Sequence, residues 1–262
     1  MNGHSTSELK RLSRSLLLGR YNSYTLPLIL FFLADVASSF LPVTLFQGSS
    51  TSDVIFRFVF SFILSAFFGM LGIGVIRITR CVCKGEPSSV RDLGYAFKNS
   101  TDAFIKIQLL FAAIRSALSL LTIAISSIDS TYQLDTLEYF AVLYAVTIVA
   151  YFLNMLITIR LVWSVYYILD DPQLGAPEAL KMSLTVTKGR TLKLIWIKIT
   201  FVGMYILGVA SFMTGFLYVR PYMEMTYMLC YLLMSGQPLP DFANEQPEKP
   251  ENTGPSYWAG RN

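Results

Sequence analysis

Two charged residues stand where charge is costly. Asp35 lies at the middle of an apolar run from 24 to 46, and Arg115 at the middle of another from 103 to 125. At the centre of a membrane-crossing helix one charge costs roughly 2.5 to 3.5 kcal/mol, so it faces a partner or a water-filled path and is a functional candidate by default. The two are opposite in sign and similar in depth, which predicts that they pair. Around Arg115, the residues Gln108, Ser119, Thr122 and Ser126 recur at helical spacing, and in the next apolar run Tyr144, Thr147, Tyr151, Asn154 and Thr158 do the same. Asp35, Arg115, Gln108, Asn154 and Tyr151 therefore form the candidate intramembrane polar site. Such stripes serve either as glue between helices, at about 0.6 kcal/mol per hydrogen bond, or as the lining of a solute path. Arg220 and Glu224, four residues apart, are spaced to neutralise each other.

No enzyme constellation accompanies these residues. The single histidine, His4, stands near the N-terminus, which argues against a Ser-His-Asp triad and a histidine-ligated metal. The run GMLGIG at 69–74 lies inside an apolar helix and follows no strand, so it reads as close packing rather than a nucleotide loop. Cys81, Cys83 and Cys230 are odd in number, with no disulfide framework, and the first two fall in an expected cytoplasmic loop as free thiols. The expectation is a non-catalytic protein with no metal and no cofactor; proton chemistry at an intramembrane acid is the one enzymatic route left.

The elements that must hold these residues are membrane spans. Of 262 residues 53% are apolar and 15% charged, against roughly a quarter charged in a soluble domain. The apolar residues gather into runs long enough for the roughly 30 Å hydrocarbon layer. The fold class expected is all-α: a polytopic membrane domain over 1–234 with six spans at about 24–46, 54–76, 103–125, 139–159, 194–212 and 216–234, arranged as three hairpins. Residues 235–262, rich in proline and polar groups, are expected to form a disordered cytoplasmic tail. The net charge of +4 sits beside the apolar runs, so threading explains it better than nucleic acid does. Lys10, Arg11, Arg14 and Arg20 precede the first span; the second and fourth connections hold six basic residues each and the first, third and fifth none. Both termini are then cytoplasmic.

Each hairpin follows a short amphipathic segment. The first, 5–18, opens with Ser5 and Glu8 at capping-box spacing and carries Leu9, Leu12 and Leu16 beside Lys10, Arg11 and Arg14. The second runs from Ser88 to Lys98. In the third, between Pro172 and Gly189, Leu180, Leu184 and Thr187 share a face flanked by Lys181 and Lys188. An apolar face with a basic edge suits an anionic membrane surface, and the threefold recurrence predicts three degenerate repeats.

Residues 169–231 carry Asp171-Pro172, Glu178-Ala179-Leu180, Ser183, Lys188-Gly189, Pro221-Tyr222, Thr226 and Tyr231. On these the chain resembles the bacterial integral-membrane family known as domain of unknown function 975, with the N-terminal part similar in layout. The resemblance implies the architecture and a bacterial cell membrane, and no activity. The function expected is a non-catalytic membrane scaffold or accessory subunit, in contact with the bilayer and with another membrane protein or a second copy of itself. The alternative is a small-solute or lipid permease using the polar interior between spans one, three and four.

Overall fold

Helix follows helix along the whole described chain. The computed structural model describes residues 5–48, 50–132, 136–211 and 215–240, with 122–132 and 136 described by backbone alone, and no strand occurs among them. The elements are α1 (Thr6–Leu17), α2 (Asn22–Leu45), α3 (Thr51–Lys84), a 3-10 turn (Val90–Gly94), α4 (Tyr95–Lys98), α5 (Thr101–Tyr132), α6 (Thr136–Leu161), α7 (Trp163–Asp170), α8 (Ala176–Thr187), α9 (Thr191–Ile199), α10 (Val202–Ala210) and α11 (Phe216–Ser235). The expected tail lies outside the described residues beyond 240, as does His4.

Five helical stretches are long and apolar enough to cross a membrane: Asn22–Leu45, Thr51–Lys84, Thr101–Leu121, Leu137–Asp170 and Thr191–Ala210. Three expected boundaries move. The second span does not stop near Ile76 but continues to Lys84, because Val75, Ile78 and Val82 keep the helical apolar spacing between its arginines until Gly85, at φ 72°, ends it. Cys81 and Cys83 are consequently buried in a helix, not placed in a loop. The fifth stretch breaks at Thr200–Phe201 into the two nine-residue helices α9 and α10. The helix expected as a sixth span, α11, is not among the five. It is the core of the protein, with Val219, Tyr222, Met225, Leu229 and Cys230 buried and α1, α2, α3, α8 and α10 packed around it.

The amphipathic segments spend their faces on protein. Ser5 N–H donates to Glu8 Oε2 at 2.9 Å at the start of α1, whose Leu9, Leu16 and Leu17 are buried in the cluster that α11 builds. Helix α8 buries Ala176, Ala179, Ser183 and Thr187, so of the expected face Thr187 is buried, Leu180 is half-buried and Leu184 turns outward, and small residues make most of the contact. Residues 88–98 form the 3-10 turn and a single helical turn instead of one amphipathic helix. They press so closely on α3 that a Cβ added to Gly74 would lie 2.3 Å from Leu93 Cα.

A regularity links the three hairpins. Gly19 (φ 75°), Ser100 (φ 48°) and Gly189 (φ 76°) each turn the chain from a short helix into a hairpin. At each break a side chain reaches the far end of that same hairpin: Arg20 donates to Val82 O at 2.9 Å, Ser100 Oγ to Pro172 O at 2.7 Å and Arg190 to Met234 O at 3.4 Å. The last closure spans 44 residues where the first spans 62, so the third hairpin is short. Phe216 and Leu217, at the start of α11, line a groove together with Leu28 to Asp35 of α2, while α2 continues to Leu45. Asp170 gathers the closing ends. Its carboxylate pairs with Arg80 at 2.7 Å, accepts from Gln237 Nε2 at 2.7 Å and accepts a short hydrogen bond from Tyr231.

Candidate functional site

Where the short hairpin stops, a cavity of about 280 Å³ remains between α3, α5, α6, α7, α9 and α11. Its polar lining is Gln108 and Arg115 from α5, Thr158 from α6, Lys198 from α9, and Arg220, Glu224 and Tyr227 from α11. Each position follows from helical periodicity. Arg220, Glu224 and Tyr227 lie one turn apart on a single face of α11, and Gln108 and Arg115 two turns apart on α5. Lys198 is the penultimate residue of α9, two before Thr200, where the helix breaks. Gln108 is buried and lies across Gly69 of α3, where an added Cβ would meet its Oε1 at 2.3 Å. A helix with any larger residue at 69 would displace that amide.

The charges in this cavity are unevenly matched. Arg220 Nε lies 2.9 Å from Glu224 Oε1, the ion pair their spacing predicts, and Glu224 is buried. The Arg220 guanidinium also stands 5.4 Å from the centre of the Phe31 ring of α2. Arg115 and Lys198 make no hydrogen bond and no ion pair among the described residues. The Tyr227 hydroxyl is buried without a partner. An arginine cannot discharge in a protein, so two of the three cations here are permanent.

Asp35 does not form the expected pair with Arg115. It is exposed, in a neighbouring groove of about 430 Å³ lined also by Phe31, Tyr205, Phe216, Leu217 and Arg220. From there it acts electrostatically on both Arg115 and Arg220. The physical reason is the third hairpin, whose tip with Arg220 occupies the space that a direct contact between α2 and α5 would need.

The polar stripe of α6 does not face α5 as a whole. Tyr144 and Tyr151 are 64% and 71% exposed and point away from the bundle, though Tyr151 lies within electrostatic range of Tyr205. Asn154 is half-buried with its Oδ1 unpartnered, and only Thr158 reaches the cavity. Thr122 and Ser126 belong to the part of α5 described by backbone alone. Of the candidate residues, the structure thus brings Gln108 and Arg115 into the cavity and leaves Asp35 in the groove beside it. Lys198 was not among them. Its signal is a lysine inside the apolar stretch WIKITFVGM, which the positive charges of the adjoining connection mask.

The residues that carry the family resemblance do other work. Ser183 Oγ donates to Arg160 O at 2.5 Å, Thr226 Oγ1 lies 3.0 Å from Ser13 Oγ, and Tyr231 bonds to Asp170. Gly189 supplies a left-handed turn, Pro172 accepts from Ser100, and Asp171 Oδ1 accepts from Gln173 N–H at 3.0 Å. Pro221 and Tyr222 are buried in α11, and Lys188 is exposed. These positions tie helix ends together; none lines the cavity. Among the described residues no group of three or more His, Cys, Asp or Glu side chains comes together to hold a metal ion.

Over residues 1–237 the chain matches the family described as "Protein of unknown function (DUF975)", and it belongs to that family. No curated protein and no solved structure was found to match it.

Proposed function

We propose that this protein is a non-enzymatic membrane carrier that holds an anionic group, of a small solute or of a lipid head, in the cavity between α5, α9 and α11. The observation that carries the reading is the two cations Arg115, exposed, and Lys198, half-buried, which make no hydrogen bond or close ion pair among the described residues and line a cavity whose one acid, Glu224, is engaged by Arg220, while Asp35 acts on Arg115 only from the adjoining groove. A protein that only braces neighbouring helices gains nothing from such charges, and each raises the free energy of the empty bundle. The break at Thr200–Phe201 supports the same reading, since interrupted helices bring exposed backbone ends to binding sites inside membranes. Lys10 of α1 holds that break, donating to Thr200 O at 3.2 Å with its ammonium 4.3 Å above the Phe201 ring. The distribution of basic residues favours both termini on the cytoplasmic side of the membrane.

The test is reconstitution of purified protein in liposomes. Uptake of radiolabelled sulfate or phosphate, or scrambling of a fluorescent phosphatidylglycerol, is expected for one of these and is expected to fall at least tenfold in Arg115→Gln. Absence of all three activities in folded, monodisperse protein would overturn the reading.

The scaffold reading keeps one specific observation, the outward-facing Tyr144 and Tyr151 on α6 together with the exposed Asp35. A partner helix or a second copy would cover them. Reproducible co-purification with one membrane protein, lost on Tyr151→Leu, would favour it.

A further inference from the structure

We propose that the cavity takes up its anion together with one proton, carried on Lys198 Nζ. The inference rests on the carrier reading above and adds the coupling ion. The polar and aromatic groups that line the cavity with Lys198 are Glu224, Arg220 and Tyr227 from α11, Arg115 and Gln108 from α5, Thr158 from α6, and Tyr166 and Trp163 from α7; of these, Glu224 and Arg220 act on it electrostatically. Asp35 acts on the two arginines from the adjoining groove. Arg115 and Arg220 keep their charge at any working pH, and the acids set against them are Glu224 and Asp35. With Lys198 as a neutral amine the charges balance. With Lys198 as an ammonium one positive charge is left over in a cavity whose lining includes Ile73, Ile76, Phe111 and Val162, and this apolar part of the wall penalises it unless an anion enters.

Loading is therefore a balanced event. A hydronium ion gives its proton to the Lys198 lone pair, one O–H bond breaking as the N–H bond forms and a water being left, and an anion settles between the ammonium and the Arg115 guanidinium, held by charge and hydrogen bonds alone. Release returns both. The ligand chemistry is that of an oxyanion, because a planar guanidinium offers paired donors matched to two oxygens. Lysine is the one cation of the three that can discharge, and it stands two residues before Thr200, where the helix breaks. An arginine there could bind the anion and could not give up the proton.

Proton uptake measures this directly. Protein in uncharged detergent, in a weakly buffered solution with a pH indicator, is given sulfate or, at matched ionic strength, chloride; sulfate does not titrate near neutral pH. A parallel arm replaces sulfate with phosphatidylglycerol in the micelles, separating a free oxyanion from a lipid head. About one proton per bound anion is expected in the wild type. Neither Lys198→Arg nor Lys198→Met should take up any. In thermal unfolding Lys198→Arg should keep its stabilisation by the anion at every pH, while Lys198→Met should lose it. In the wild type that stabilisation should fade as pH rises. Stabilisation without proton uptake overturns the coupling and leaves the carrier reading standing. Neither stabilisation beyond chloride nor proton uptake from either anion overturns the site itself. Should Lys198→Met not fold, the wild-type proton count still decides.

Discussion

The two ends of the bundle are built from the same kinds of residue and held in different ways. At the α1 end, α11 is enclosed on all sides and the helix ends are bound to one another through Asp170, Arg20, Ser100 and Arg190. At the far end, beyond the tip of the third hairpin, Phe40, Leu45, Phe56, Val59 and Ile148 are each 47% exposed or more. In water those side chains would collapse together. In lipid there is no hydrophobic drive between helices, so a thin pair of hairpins costs little and packing is needed only where polar groups and helix ends must be satisfied. The charged cavity lies at the boundary of the two regimes, where the enclosed half ends.

Mutations at the α1 end should therefore dominate stability. The largest effect is expected for Gly74→Ala, whose Cβ would fall 2.3 Å from the backbone of Leu93, an atom that cannot swing away. Ordinary overpacking costs about 1 to 3 kcal/mol, and this change should reach or exceed the upper end, measured as loss of folded protein in detergent. Asp170→Ala comes next. A broken buried pair costs about 3 to 5 kcal/mol, but Arg80 and Asp170 are 15% and 20% exposed, which reduces the expectation to about 2 to 4. Near-wild-type stability for either variant would dissolve the contrast between the two ends.

A finer test joins α1 to α11. Ser13→Ala and Thr226→Val each remove one member of a buried hydroxyl pair, at about 1 kcal/mol apiece. In a double-mutant cycle the two should couple by at least about 0.5 kcal/mol. Strict additivity would mean that α1 does not dock there and is free to lie on the membrane surface. The smallest effect should come from the far half, where Tyr151→Phe is expected within about 0.5 kcal/mol of the wild type. A larger loss in the native membrane alone would show that a partner covers α6.

What the sequence made legible follows the same division. The apolar character of the first five runs, the Ser5 and Glu8 cap and the end of the third amphipathic segment at Gly189 depend on neighbours in the chain, and they stand near where the pattern placed them. The Arg220 and Glu224 pair is local in the same sense. The expected Asp35 and Arg115 contact required knowing which helix fills the space between α2 and α5. A proline-containing, charge-bearing segment such as Phe216–Ser235 reads from its hydropathy as one more span, and nothing in its own residues says that five other helices surround it. Nothing near Asp170 in the chain marks its role either, because its partners Arg80, Tyr231 and Gln237 are distant in sequence.

The central claim is that the boundary cavity is hydrated and electrically positive toward an entering ligand. A cysteine at Thr158, which lines it, in a background with Cys81, Cys83 and Cys230 replaced by alanine, reports both properties. Its reaction rates with a sulfonate-bearing and with a trimethylammonium-bearing methanethiosulfonate are compared as a ratio with that of a free thiol in solution, at mildly acidic pH. One surplus charge at such range in a medium of intermediate dielectric shifts that ratio toward the anion by about tenfold or more, and Arg115→Gln should cancel most of the shift. A ratio equal to that of the free thiol, a preference for the cation, or no reaction with either reagent would contradict the account.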